Sequence, residues 1–127
     1  MNATYLRQFC AILTAFLFSF PAFARHPATV PESGTISVAN LPVEARRTLM
    51  LIRQGGPFPY AKDGVVFGNH EGLLPRQPRG YYHEFTVKTP GSRNRGAQRL
   101  IVGGALVTSN EVYYTATHYA SFMRISE

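Results

Sequence analysis

Only one segment of the chain carries convincing helix signals, and this restricts the possible folds more than any other feature. In NLPVEARRTLMLIRQGG, apolar residues recur at helical spacing from Leu41 to Ile52, Pro42 suits the first turn, and two glycines end the segment. Short strand candidates joined by turn-forming residues follow the helix at 65–67, 80–88, 98–103, 111–115 and 119–125, and TISV precedes it. This order predicts an α+β fold in which one N-terminal helix packs on an antiparallel β-sheet.

The N-terminal stretch has the three regions of a secretory signal peptide. MNATYLRQ carries one positive side chain, FCAILTAFLFSF is uncharged and apolar, and Ala22-Phe23-Ala24 is a small-x-small cleavage sequence. We therefore predict a signal peptide at 1–24, a flexible arm at 25–34 and one domain at 35–127, in a protein that is secreted to the periplasm or the medium. An uncleaved N-terminal anchor is the alternative, but the apolar run is short for a membrane span.

The cysteine content excludes some classes of function, and the net charge of the chain suggests which partners it can bind. The single cysteine, Cys10, lies within the predicted signal peptide, so the mature domain would contain no disulfide, thiol nucleophile or cysteine-bound zinc. The formal net charge of the chain is +6. A basic surface attracts nucleic acid, anionic lipid or acidic protein, and it can also serve solubility alone.

The stretch GYYHEFTVKT at 80–89 has the composition of a strand but carries a carboxylate in its middle. Alternation places Tyr81, His83, Phe85 and Val87 on one face, and Tyr82, Glu84, Thr86 and Lys88 on the other. If the first set faces the core, Glu84 is turned towards water or towards a site, and His83 is structural.

Several polar groups in the C-terminal half could carry chemistry. They are Glu84, the arginines Arg93, Arg95 and Arg99 in SRNRGAQR, His118 in ATHYASF, and Glu71 at the end of the glycine-flanked loop FGNHEG. Each alone has a simpler explanation, because strand carboxylates are usually solvated or paired, arginine-rich loops usually face solvent, and a lone histidine is usually structural.

Together these groups fit metal-independent cleavage of RNA. That reaction needs a base for the ribose 2′-hydroxyl, an acid for the leaving 5′-oxygen and cations for the phosphate. A carboxylate and an imidazole can divide the first two tasks, and arginine binds phosphate bidentately. The chain has no acidic cluster and no His-x-x-x-His pair, so we predict no metal and no other cofactor.

At these residues the sequence resembles the guanyl-specific microbial ribonucleases of the barnase group, and most of all their small secreted bacterial members. The segments GPFPYAKDGVVFGNHEGLLP, YYHEFTVKTPGSRNRGAQRLIVGG and YYTATHYASF carry the resemblance, which extends from about Ser33 to Ile125. It implies the microbial ribonuclease fold and cleavage of single-stranded RNA to a 2′,3′-cyclic phosphate, which is hydrolysed to a 3′-phosphate.

The resemblance also implies residue roles. Glu84 corresponds to the general base, His118 to the general acid, and Arg95 and Arg99 to the arginines that bind the phosphate. Tyr119 corresponds to a tyrosine on the phosphate side, although sheet packing is an equally good explanation for it.

The loop VFGNHEG corresponds to the guanine site of the family. Glu71 can accept from the ring N–H and the exocyclic amine of guanine, the backbone N–H groups of Gly68, Asn69 and His70 can donate to its carbonyl, and Phe67 offers a stacking face. The family usually has arginine where this chain has His70, which predicts weaker or more pH-sensitive guanine binding.

Two alternatives to a secreted guanyl-specific endoribonuclease follow from the same residues. One is a basic module that binds RNA or another anion without cleaving it, although a carboxylate beside the arginines would repel phosphate. The other is the same enzyme acting as an antibacterial toxin. The resemblance further implies a monomer without membrane attachment in its mature form, and an acidic barstar-like protein inhibitor as a possible partner.

Overall fold

The computed structural model describes residues 34–127, which form one helix and a six-stranded sheet. The strands are β1 (Thr35–Ser37), β2 (Val65–Phe67), β3 (Tyr82–Thr86), β4 (Arg99–Gly103), β5 (Val112–Thr115) and β6 (Met123–Ser126), and a short 3₁₀ turn, Val38–Asn40, precedes helix α1 (Val43–Gln54). None of the helices in this part of the chain is long and apolar enough to cross a bilayer. The predicted signal peptide and all of the predicted arm except Gly34 lie outside the described residues, so the domain boundaries stay predictions.

The sheet has the strand order β1-β6-β5-β4-β3-β2. Four of its five pairings are antiparallel, whereas the pairing of β1 with β6 is parallel. The predicted α+β fold is therefore confirmed, with the correction that one edge pair of the sheet is not antiparallel. A parallel pair is possible here because β1 and β6 are far apart in the sequence and no tight hairpin joins them.

Helix α1 covers one face of the sheet. Ala45, Leu49 and Ile52 are buried against side chains of the three central strands, namely Phe85, Leu100, Val102, Val112 and Tyr114. Pro42 directly precedes the helix instead of lying in its first turn, and Gly55 ends the helix at φ 78°. Because its spacing follows one buried stripe, the helix was predicted correctly to within two residues at its start.

The opposite face of the sheet is also covered, which the sequence analysis did not predict. Tyr82, Ile101 and Tyr113 from the central strands pack with Leu74 and Phe122, two residues contributed by connecting segments. Tyr81 packs against this second cluster and not against the helix. Its predicted assignment to the helix face was wrong because β3 begins only at Tyr82, so the alternation of the strand does not extend to residue 81.

The strand predicted at 119–125 is also shorter than expected. It begins at Met123, and the preceding residues His118 and Tyr119 have φ values of 52° and 71°, in the left-handed region. A strand cannot pass through such residues, so 116–122 forms a loop. This loop carries two of the predicted site residues back towards the middle of the sheet.

Candidate active site

Glu84 lies in the middle of β3, on the sheet face away from the helix, with Val65 and Ile101 as its cross-strand neighbours. The residue is only 9% exposed, whereas strand alternation predicted a side chain turned towards water or towards a site. Its Oε2 atom accepts a hydrogen bond from the Tyr119 hydroxyl at 2.5 Å, and its Oε1 atom lies 3.7 Å from Nη1 of Arg95. A buried carboxylate is stabilised only with such partners.

Arg95 is half-buried, and its side chain reaches from the loop after β3 to side chains of that strand. Its Nη1 atom donates to Oγ1 of Thr86 at 2.9 Å, and the same atom forms the longer ion pair with Glu84. Thr86 is on the same face of β3 as Glu84, two residues further along. The arginine is therefore held beside the carboxylate by a neutral hydroxyl, and its remaining N–H groups can bind an anion.

Arg99 is the most deeply buried cation at the site, at 2% exposed. It begins β4, where it pairs with Thr86 on one side and Thr115 on the other. Its Nη1 atom donates to the carbonyl oxygens of Gly96 at 2.9 Å and Gln98 at 2.7 Å, whereas its Nε atom has no hydrogen-bond partner among the described residues. A buried N–H of a charged group without a partner is costly, and an anion can satisfy it.

The loop 116–122 is fixed by hydroxyl groups. Oγ1 of Thr115 accepts from the backbone N–H groups of Thr117 and Tyr119, both at 3.2 Å, and the N–H of His118 donates to the Ala97 carbonyl at 3.2 Å. These bonds hold the loop in its left-handed conformation. The His118 side chain remains exposed, with its ring centroid 4.8 Å from that of Tyr119.

Tyr119 connects the acidic and basic parts of the site. Its hydroxyl donates to Glu84, and its ring lies 6.0 Å from the guanidinium carbon of Arg99. Burial raises the pKa of Tyr119, and the hydrogen bond to Glu84 and the negative charge of that carboxylate raise it further. The phenol therefore stays protonated at neutral pH and remains a donor to Glu84.

A second group of predicted residues forms a loop directly after β2. Asn69 has φ 50°, and its side-chain amide donates to the Leu74 carbonyl at 3.0 Å while its oxygen accepts from the Leu74 N–H at 3.1 Å. A β-carbon on Gly68 would overlap the His70 ring, which packs over it. Because the Asn69 amide is occupied within the loop, its backbone is the part available to a ligand.

This loop and the loop 116–122 enclose a cavity of about 180 Å³. Its walls include Phe67, His70, Glu71 and Tyr119, and the rings of Phe67 and Tyr119 are stacked at a centroid distance of 5.1 Å and an angle of 29°. The structure thus brings the predicted base-binding residues next to the predicted catalytic residues, with Tyr119 common to both. A flat ring with hydrogen-bonding edges is the ligand that such a mixed aromatic and acidic cavity suits.

Two positioning residues were missed by the sequence analysis. Thr86 holds Arg95, and Asp63 anchors β3, because its Oδ1 atom accepts from the Thr86 N–H at 2.7 Å and its Oδ2 atom from the Tyr60 N–H at 3.1 Å. The alternation of β3 places Thr86 beside Glu84 and could have indicated it. Asp63 had no such signal, since KDG indicated only a turn.

The remaining predicted group, Arg93, is exposed and forms no ion pair within the described residues. Across residues 34–127 there is also no group of three or more His, Cys, Asp or Glu side chains placed to hold a metal ion.

Known proteins are similar to this chain over most of its length. The family model described as ribonuclease matches residues 24–126. Guanyl-specific ribonuclease Sa of Kitasatospora aureofaciens is 55% identical over 95 residues, covering 75% of this chain and 96% of that protein. Guanyl-specific ribonuclease St of Saccharopolyspora erythraea is 52% identical over 87 residues, covering 68% and 82%.

Solved structures of ribonucleases are also similar to this chain. Ribonuclease Sa2, in a study of its complexes with mononucleotides, has a TM-score of 0.71 and 45% identity, with 76% of this chain and 97% of that chain covered. A structure of the same protein with guanosine-2′-cyclophosphate gives a TM-score of 0.67 and 46% identity, with 73% and 95% covered. With a matching family model over most of its length and relatives more than half identical, this chain belongs to the ribonuclease family.

Proposed function

We propose that the protein is a guanyl-specific endoribonuclease that cleaves single-stranded RNA through a 2′,3′-cyclic phosphate. The observation that carries this proposal is the position of Glu84, a buried carboxylate that contacts a protonated tyrosine and one arginine, with a second arginine beside the tyrosine ring. A surface that only binds RNA has no use for a negative charge beside its phosphate-binding cations. The relatives named guanyl-specific ribonucleases support the same activity.

In the first step, Glu84 takes the proton of the ribose 2′-hydroxyl while the 2′-oxygen attacks phosphorus. Oε2 of Glu84 already accepts from Tyr119, whereas Oε1 has only the 3.7 Å ion pair with Arg95, so Oε1 is the atom for this proton. His118 gives a proton to the departing 5′-oxygen. In the second step the roles reverse, and water activated by His118 opens the cyclic phosphate.

The arginines stabilise the charge that develops on the phosphate. Arg95 and Arg99 approach Glu84 and Tyr119 respectively, and backbone carbonyls of Gly96 and Gln98 hold the guanidinium of Arg99 in position. Such donors need no reorganisation when charge appears, which is the main source of electrostatic catalysis. Chain residues therefore supply the base, the acid and the cations, and we propose that the reaction needs no metal.

The cavity beside this centre is proposed to select guanine. Glu71 would accept from the ring N–H and the amine, backbone N–H groups of 68–70 would donate to the carbonyl, and Phe67 would stack on the base. A structure of ribonuclease Sa2 holds guanosine-2′-cyclophosphate, which supports this ligand class.

Digestion of a defined single-stranded RNA in the presence of EDTA tests the proposal. We expect cuts after guanosine only, with 2′,3′-cyclic ends early and 3′-phosphate ends late in the reaction. RNA that stays intact with EDTA but is cut with added Mg²⁺ would contradict metal independence. RNA that is bound but never cut would establish the binding-module alternative instead.

Secretion, an inhibitor and a monomeric state are further parts of the proposal, and each rests on fewer observations than the activity does. The sequence of residues 1–24 supports secretion. Determining the N-terminus of the protein recovered from the culture medium tests it. The site region is basic, so an acidic barstar-like protein could block it, and titration of activity with such an inhibitor tests this partner. Light scattering of the purified domain tests the proposed monomer.

A further inference from the structure

A second groove adjoins the base loop, and its walls include none of Glu84, Arg95, Arg99, His118 and Tyr119. It shares Phe67, Asn69 and His70 with the first cavity, has a volume of about 340 Å³, and is closed by Tyr82 and the segment 76–79. Along β3, Tyr82 is at one end and Thr86, which holds Arg95, is at the other. The carboxylate of Glu84 is in the middle of β3, and the Arg76–Arg79 groove lies at the Tyr82 end, where Phe67 of the base cavity pairs with Tyr82.

The segment that forms the groove is held in a defined shape. The side chain of Asn69 makes two hydrogen bonds to the backbone of Leu74, and the Tyr82 hydroxyl donates to the Pro75 carbonyl at 2.6 Å. The N–H of Tyr81 closes a turn on the Pro78 carbonyl at 3.1 Å. With a proline at each of these two carbonyl positions, the backbone of 75–78 has little freedom left to lose on binding.

The groove carries positive charge that the fold does not use. Arg76 and Arg79 are exposed, and within residues 34–127 neither has a carboxylate within 4.0 Å. The guanidinium groups have no structural partner there, and exposed arginines beside a polar groove are well suited to phosphodiester oxygens.

We propose that the Arg76–Arg79 groove is a phosphate subsite for the RNA strand on the 5′ side of the bound guanosine. This deepens the proposed function and depends on it. The scissile phosphate is on the 3′ side of guanosine and lies at the Arg95 and Arg99 end of β3. The RNA strand attached to the 5′-oxygen of the same ribose must run in another direction, and the groove lies at the opposite, Tyr82 end of β3, beside the base loop.

The test compares two substrates with the same leaving nucleoside, GpC and UpUpGpC. Both release cytidine when cleaved after guanosine, but only the second has phosphodiesters upstream. At low salt we expect kcat/KM for UpUpGpC to exceed that for GpC by roughly fivefold for each phosphate contact, the factor typical of an exposed ion pair at the upper end of its range.

The double variant Arg76→Ala/Arg79→Ala should lose this advantage and cleave GpC at the unchanged rate, which also shows that it is folded. A matched variant, Arg46→Ala/Arg47→Ala, removes two exposed arginines from helix α1 and should keep the advantage. Replacing the upstream phosphodiesters of UpUpGpC with uncharged methylphosphonates should abolish it in the wild-type protein.

Equal kcat/KM values for GpC and UpUpGpC, or an advantage that survives Arg76→Ala/Arg79→Ala, would overturn the subsite while leaving the ribonuclease activity intact. If the double variant instead weakens the benefit of a 3′ extension, as in GpCpA, the groove binds the other side of the strand and the proposal is wrong. Failure to cleave GpC at all contradicts the proposed function, and the subsite falls with it.

Discussion

Glu84 has one carboxylate oxygen satisfied and the other nearly free, and this asymmetry separates its structural role from its chemical one. The oxygen bonded to Tyr119 keeps a buried charge stable, and the oxygen 3.7 Å from Arg95 is available to a substrate proton. Removing the charge without changing the shape of the side chain therefore isolates the chemistry.

For Glu84→Gln, we expect kcat/KM on GpC to fall by about 10²–10⁴-fold, the usual contribution of a general base. The amide oxygen can still accept from Tyr119, so the melting temperature should stay within a few degrees of that of the wild type. Glu44→Gln, which changes a carboxylate in the first turn of helix α1, is the control and should leave activity unchanged. Full activity of Glu84→Gln would show that another group is the base.

For Tyr119→Phe, we expect a loss of both stability and activity. The hydrogen bond to a buried carboxylate is lost, which lowers the free energy of unfolding by about 1.5–3 kcal/mol. Glu84 also loses the donor that orients it, so kcat on GpC should fall while the binding of guanosine monophosphate changes little.

Tyr114→Phe is the matched control for that loss. Its hydroxyl donates to the side chain of Gln98 at 2.8 Å, on the helix side of the sheet. Denaturant unfolding should show a smaller stability loss with kcat unchanged. Equal kcat values for Tyr119→Phe and the wild type would remove any positioning role for Tyr119.

At the scale of elements, the loop between β3 and β4 positions Arg95 and Arg99, the two arginines that we propose bind the phosphate. Gly96 lies between them in sequence, at φ 62°, and a β-carbon there would overlap Oγ1 of Thr89 and lie 2.7 Å from its Cβ. The carbonyl of Gly96 also holds Arg99. The loop therefore depends on glycine at this position for its backbone conformation and for space.

For Gly96→Ala, we expect the free energy of unfolding to fall by about 1–3 kcal/mol because of the left-handed backbone and the contact with Thr89. Activity should fall too, since Arg95 and Arg99 must shift. Gly91→Ala is the control, because Gly91 has φ 77° but no atom within 4 Å of the added carbon. It should be destabilised less and stay active, and Thr89→Ala should partly rescue Gly96→Ala.

The elements also show what sequence patterns can predict. Helix α1 was predictable because its apolar residues form one buried stripe. The central strands were predictable because runs of β-branched and aromatic residues are bounded by turn-forming residues, and the face of Glu84 followed from alternation. The burial of that face was not predictable, since Leu74 and Phe122 reach it from loops that have no period. The strand expected at 119–125 begins only at Met123, because the hydrogen bonds of Thr115 impose a turn that composition does not reveal.

The candidate site, like the fold, was predictable from the sequence only in part. The residue types that could cleave RNA were recognisable from their chemistry, and the structure places Glu84, Arg95, Arg99 and Tyr119 in one network. Asp63 could not be recognised, because its role is to accept from the backbone of a strand 23 residues later. Contacts of that kind depend on tertiary structure and not on local pattern.

At the scale of the whole molecule, buried tyrosines make the free energy of unfolding depend on pH in the alkaline range. Tyr82 is 3% exposed, and burial raises its pKa from 10.0 to about 12, with a smaller contribution from the charge of Glu111. Glu111 accepts hydrogen bonds from Tyr81 at 2.5 Å and Tyr113 at 2.9 Å. Burial and Glu111 also raise the pKa of Tyr113.

The unfolded chain loses the Tyr82 proton near pH 10, whereas the folded protein keeps it until about pH 12. The contribution of this group is therefore fully present below pH 10 and is lost as the pH rises through 12, by roughly 2–3 kcal/mol for a shift of this size. Urea unfolding at a series of pH values measures it. Tyr82→Phe should reduce the slope between pH 10 and 12, and an unchanged slope would contradict the assignment.

The parallel pairing of β1 with β6 has a practical consequence for attaching other molecules to the protein. Gly34 accepts a hydrogen bond from the Arg124 N–H, so the point where the described chain begins is fastened beside the strand where it ends. Four strand spacings separate β1 from β3, or about 19 Å. A label, a surface linker or a fused domain joined ahead of Gly34 would thus leave the substrate path open, and the enzyme could be immobilised from that edge while still working on long RNA.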